Sequence, residues 1–163
     1  MKKPEKKAIP LRKDRLLRSQ GLDPSETRGK PTTTVCPECR VVFADGRWQW
    51  GRPPTPATEA LCPACKRVAD RHPAGIVTLS GEFFVAHANE ILHAVRNTEE
   101  HAKKEHPLQR IMSIEPSATE AVLTTTDVHL ARGIGEALQR AYRGNLDFTY
   151  GDGDVSIRVS WSR

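Results

Sequence analysis

No stretch of the 163 residues approaches the roughly eighteen consecutive apolar residues that a membrane-spanning helix needs, so such a helix is excluded. The basic N-terminus has no apolar stretch behind it, so no secretory signal is read and the cytoplasm is the expected location. Nucleotide hydrolysis has no support, because neither GxxxxGK[ST] nor a strand-linked GxGxxG is present. His87, His93, His101 and His106 lie along one helix or its end without forming the His-Glu-x-x-His pair of a metallopeptidase, and they read as solvated or partner-facing. No Ser-His-Asp or Cys-His ordering stands out either. The chain nominates no catalytic residue and is expected not to be an enzyme. Apolar residues make up only 37%, below the globular average, so part of the chain is expected to stay outside any core.

What is present is unevenly placed. Residues 1–30 hold ten Lys/Arg against four Asp/Glu, a net of +6, whereas residues 31–163 hold fifteen against sixteen, a net of −1. The basic character therefore belongs to the first 33 residues, read as a disordered or extended tail. Lys2, Lys3, Lys6, Lys7, Arg12, Lys13, Arg15 and Arg18 suit a polyanion, RNA before an anionic membrane. A merely solubilising tail is the plain alternative.

Residues 34–72 hold all four cysteines, as Cys36-Pro37-Glu38-Cys39 and Cys62-Pro63-Ala64-Cys65. Each CxxC turn lets two thiolates grip an ion from one side, and two such turns complete a tetrahedral site. Cys36, Cys39, Cys62 and Cys65 are thus candidate ligands for one structural zinc ion, with iron the minor alternative because thiolates bind both. Disulfides are disfavoured in a cytosolic chain. The helix-like run after Cys65, with Pro63 in its first turn, favours a treble clef over a zinc ribbon. Ribbon knuckles often carry Gly after the second cysteine, where this chain has Arg40 and Lys66. Arg40, Lys66 and Arg67 put positive charge beside the thiolates. Arg47, Trp48, Trp50 and Arg52 interleave bases with aromatics. They read equally as a nucleic-acid platform or, for the tryptophans, as a cover for the metal core.

Residues 73–163 read as an α/β domain. Ile76–Leu79 predicts a strand, Glu82 to about Lys104 a single helix, Leu108–Glu115 and Thr119–Thr125 two strands, and Thr126 or Asp127 the cap of a helix to about Tyr142. That helix is expected to bury Leu130, Ile134, Ala137, Leu138 and Ala141. Gly133 and Gly135 within it predict close packing on a sheet. Leu146–Tyr150 and Val155–Trp161 alternate as a final hairpin about Gly151-Asp152-Gly153. The β-α-β-β-α-β-β order predicts an α+β, ferredoxin-like two-layer sandwich with an extra terminal strand.

The CPxC unit, together with the string Thr125-Thr126-Asp127-Val128-His129-Leu130-Ala131-Arg132-Gly133-Ile134-Gly135, resembles the bacterial relatives of the Nmd-type large-ribosomal-subunit export adaptors. Those proteins join N-terminal zinc modules to α/β domains and bind the large ribosomal subunit. This chain has one metal module and no long export region. The resemblance therefore implies RNA or ribosome contact rather than export, with ribosomal proteins as further partners. The rival expectation is a protein-interaction adaptor, because residues 73–163 carry nine Lys/Arg against twelve Asp/Glu, a net of −3.

Overall fold

The computed structural model describes residues 33–151 and 157–163. The eight basic residues of the tail that are candidate RNA contacts lie outside the described residues, as does the centre of the final turn.

The cysteine-bearing segment forms a small four-stranded sheet and one helix. Its strands are β1 (Thr34–Val35), β2 (Val42–Ala44), β3 (Arg47–Gln49) and β4 (Thr58–Glu59), ordered β3-β2-β1-β4. β2 and β3 pair Ala44 with Arg47, leaving Asp45 and Gly46 as a two-residue turn with φ of 52° and 77°. Asp-Gly is a favoured sequence for that left-handed turn, whose twist matches the strands it joins. β4 adds to β1 in parallel. Helix α1 (Pro63–Ala69) then starts on the second cysteine pair, where ribbon geometry would need another hairpin.

The remainder builds a second, five-stranded sheet. Its elements are β5 (Gly75–Ser80), α2 (Glu82–Ala86), α3 (Ala88–Glu105), β6 (Ile111–Pro116), β7 (Glu120–Thr125), α4 (Val128–Tyr142), β8 (Asn145–Tyr150) and β9 (Ile157–Ser162). The strand order is β6-β7-β5-β9-β8, and only β5 and β9 run parallel. Helices α3 and α4 cover one face. Val77, Leu79, Leu123, Ile157, Val159 and Trp161 meet Ile91, Val95, Leu130, Ile134 and Leu138 there in a buried core.

Three details depart from the sequence reading. The extra strand is not an added edge: β9 lies inside, between β5 and β8, and β8 forms the edge. Burial decides this, since Ile157, Val159 and Trp161 are all buried while Leu146 and Phe148 on β8 are only half-buried. The first helix is broken at His87 (φ −124°, ψ 25°). The Arg163 carbonyl accepts from the amides of Phe83 and Phe84, which anchors α2 to the chain's last residue while α3 turns onto the sheet. On α4, Ala137 is half-buried and Ala141 is exposed, both to the side of the core-facing stripe of Leu130, Ile134 and Leu138. The cap of α4 is Asp127, whose Oδ1 accepts from the amides of His129 (2.8 Å) and Leu130 (3.3 Å).

Candidate metal centre

The first knuckle is closed by two backbone bonds, Arg40 N–H to the Cys36 carbonyl and Cys36 N–H to the Val41 carbonyl, both 2.9 Å. This tight turn forces Arg40 to φ 64°, the left-handed region where glycine is the usual occupant. Lys66 meets no such demand, because the second knuckle runs directly into α1. Cys62 is the N-cap of that helix. Its Sγ accepts from the Cys65 amide at 3.4 Å, and Pro63 occupies the first turn, where no amide is needed.

These two turns bring the Sγ atoms of Cys36, Cys39, Cys62 and Cys65 within 4.8 Å of one another, with Cys39 and Cys62 3.7 Å apart. None is in a disulfide. Tetrahedral thiolates at about 2.3 Å from one zinc ion sit roughly 3.8 Å from each other, so the donor set fits a single metal ion such as zinc. Cys36 and Cys62 are buried and pack with Val41 and Ala64, flanked by Trp48, Leu61 and Leu108.

The electrostatics of the cluster are divided. Burial pushes the Cys62 thiol well up, and the neighbouring thiolates add to it. Burial also acts upward on Cys36. There the backbone amides of Cys39, Cys62 and Glu38 outweigh it and bring that thiol down to about 7. Burial raises Cys65 against the opposing pull of Arg110.

Arg110 is the residue no motif announces. It lies 45 positions after Cys65, at the entry to β6, yet Nη2 is 3.0 Å from the Cys39 Sγ and Nη1 is 3.3 Å from the Cys65 Sγ. Its Nε donates to the Pro107 carbonyl at 2.9 Å. Its backbone is pinned to Thr126, whose hydroxyl accepts from the Arg110 amide at 2.9 Å. Burial works to lower the Arg110 pKa, but the Cys39 and Cys65 sulfurs outweigh it, so the guanidinium stays charged. A divalent ion with four thiolates carries two net negative charges, and a cation donating to the sulfurs offsets one of them.

The candidate RNA contacts divide into two groups. Arg47, Trp48, Gln49 and Trp50 line a cleft of about 250 Å³, closed on its other side by Lys104, Glu105 and Pro107 at the end of α3. Arg40, Arg52, Lys66 and Arg67 do not line it. Arg67 is half-buried and donates to the His72 carbonyl at 3.1 Å, and Lys66 lies 3.9 Å from Asp70. Trp48 is half-buried, edge-on to Phe43 at 5.4 Å, and packs on the metal core. Trp50 is 44% exposed, and its indole N–H donates to the Lys103 carbonyl at 2.7 Å, tying the hairpin to the C-terminal turn of α3. The two tryptophans therefore have different surroundings: Trp48 lies against the metal core, and Trp50 lines the cleft with its indole N–H held by α3. The His87, His93, His101 and His106 side chains are exposed. Among the described residues, no helix is long and apolar enough to cross a membrane.

No protein-family model matches this chain, and no curated protein or solved structure matches it either, so the reading of the site rests on its own geometry.

Proposed function

We propose that the chain is a small zinc protein that binds RNA, with the ion holding the module together rather than performing chemistry. A Cys₄ set leaves no open coordination position for a substrate, so the metal's contribution is folding free energy. Zinc is proposed over iron, to be checked by elemental analysis of purified protein. The observation that carries the nucleic-acid reading is the cleft between hairpin and helix. Arg47 and Lys104 line it together with Trp48 and Trp50, beside Glu105. Cations that bind phosphate, next to rings on which bases stack, are the usual composition of a single-strand site. The basic tail adds charge for phosphates. Ribosome association in the cytoplasm rests on the resemblance of the CPxC unit and the Thr125–Gly135 string.

The test is salt-dependent binding of a single-stranded RNA oligonucleotide to zinc-loaded protein. Arg47→Ala is expected to weaken binding at low salt while leaving the melting temperature unaltered. Deleting residues 1–30 is expected to flatten the log–log salt dependence by about 0.7 for each phosphate that the tail had neutralised. RNA affinity indifferent to both changes would defeat the reading. The competing adaptor reading has one observation in its favour: residues 73–163 carry nine Lys/Arg against twelve Asp/Glu, a poor surface for a polyanion. It predicts RNase-resistant capture of a protein and no affinity for the oligonucleotide.

A further inference from the structure

The five-stranded sheet has two edges, and they are treated differently. At the β6 edge the ladder is interrupted by a register shift between Ile111 and Ser113, and the strand ends in Pro116. A bulge and a proline are common devices that stop an edge from pairing with another chain. At the other edge β8 pairs with β9 without interruption over all six residues, from Asn145 opposite Ser162 to Tyr150 opposite Ile157. β8 has no proline, no lysine and no bulge. Among the described residues its backbone makes no hydrogen bond to any segment but β9. Such an edge presents a row of free amides and carbonyls, ready to take a further strand.

The side chains of β8 are already ordered. Leu146, Phe148 and Tyr150 form one row on the helix side, opposite Trp161, Val159 and Ile157. The Arg132 guanidinium lies over the Phe148 ring, 5.3 Å from its centre, and donates to the Tyr150 hydroxyl at 3.3 Å. Arg132 is itself held by Glu136 at 2.8 Å. The row is nevertheless incompletely covered, with Tyr150 64% exposed.

We propose that the β8 edge is a homodimer interface, where a second copy adds its own β8 antiparallel to continue the sheet. The sequence of the strand favours a second copy, because it can pair with itself. Opposed residues in an antiparallel pair share a face, so a two-fold axis must pass through one residue. If that residue is Asp147, two carboxylates oppose each other, which is unfavourable. If it is Phe148, the ring opposes its counterpart, Leu146 opposes Tyr150, and Asp147 opposes Thr149. That register extends the apolar row across the axis and opposes no like-charged side chains of β8, while each Arg132 near the axis is paired with its own Glu136. Of the two registers that overlap five residues of the strand, only the one centred on Phe148 keeps Asp147 from opposing its own copy. The contact is short, so the dimer is weak and depends on concentration.

Sedimentation of the zinc-loaded full-length chain over a concentration series tests this. A monomer–dimer equilibrium is expected. Thr149 is exposed, and Thr149→Asp sets carboxylates opposite each other twice across the axis. It is expected to weaken the dimer about tenfold with the far-UV spectrum and melting temperature unaltered. Adding Asp147→Lys to that variant turns both pairs attractive and is expected to restore association. A monomer throughout the series would overturn the proposal. So would a dimer indifferent both to Thr149→Asp and to Tyr150→Glu.

Discussion

The Arg110 guanidinium bridges the five-stranded sheet's domain to the cysteine cluster. Arg110 donates to Cys39 and Cys65 while its backbone stays in register with Thr126 at the start of α4. Truncating it removes the donor without disturbing that backbone anchor. Hydrogen bonds to metal ligands are typically worth about 10–100-fold in metal affinity, and Arg110→Ala is expected to weaken zinc binding by that factor in chelator competition. Arg110→Lys keeps the charge but not the planar fork that reaches two sulfurs at once, so an intermediate weakening is expected. Equal zinc affinity in all three proteins would show that the interaction is incidental. Nothing in the spacing of the cysteines points to Arg110. A residue brought in by tertiary packing has no signature near the motif it serves. Arg40 and Lys66 both stand where ribbon knuckles often carry glycine, and the structure separates them: only Arg40 takes a positive φ, of 64°.

At the scale of elements, α4 shows how far a local pattern reaches. Its length and its buried Leu130, Ile134 and Leu138 were legible from period, and turn chemistry narrowed its cap to Thr126 or Asp127. Its two glycines looked alike in sequence and are not alike in space. A Cβ on Gly135 would lie 2.7 Å from both the Leu146 Cδ1 and the Val159 Cγ1, whereas one on Gly133 would meet nothing within 4 Å. Gly135→Ala is therefore expected to cost about 1–3 kcal/mol through overpacking of helix on sheet. Gly133→Ala is expected to stabilise by up to about 1 kcal/mol, because it trades backbone freedom for helix propensity. Thermal or urea unfolding of the two variants checks both, and shifts of the same sign would contradict the packing. The break between α2 and α3 was not legible. The apolar spacing runs on through His87, and the Arg163 carbonyl that holds the start of α2 lies at the far end of the domain in sequence.

Across the whole molecule, the metal module and the five-stranded sheet meet at one junction. The Trp50–Lys103 bond, the Arg110–sulfur bonds and Leu108 against the metal core all lie where α3 passes into β6. The module's own apolar core is small, so removing the metal is expected to abolish amide protection in residues 34–72. The buried strands β5, β7 and β9 have an independent core, and their amides are expected to stay protected. Hydrogen exchange with and without chelator measures this, and loss of protection in both regions together would mean that the chain folds as one unit. The sequence by itself determined the four cysteines that cluster, the concentration of positive charge in residues 1–30, the alternation of β8 and β9, and the apolar stripes of α3 and α4. All of these are set by neighbours within about a turn or a hairpin. Only the tertiary structure decided that β9 enters the sheet inside β8, that Arg110 reaches the sulfurs, and that Trp50 docks on α3. Each of these depends on which surfaces lose most water when distant segments meet, a competition among alternatives that no local pattern encodes.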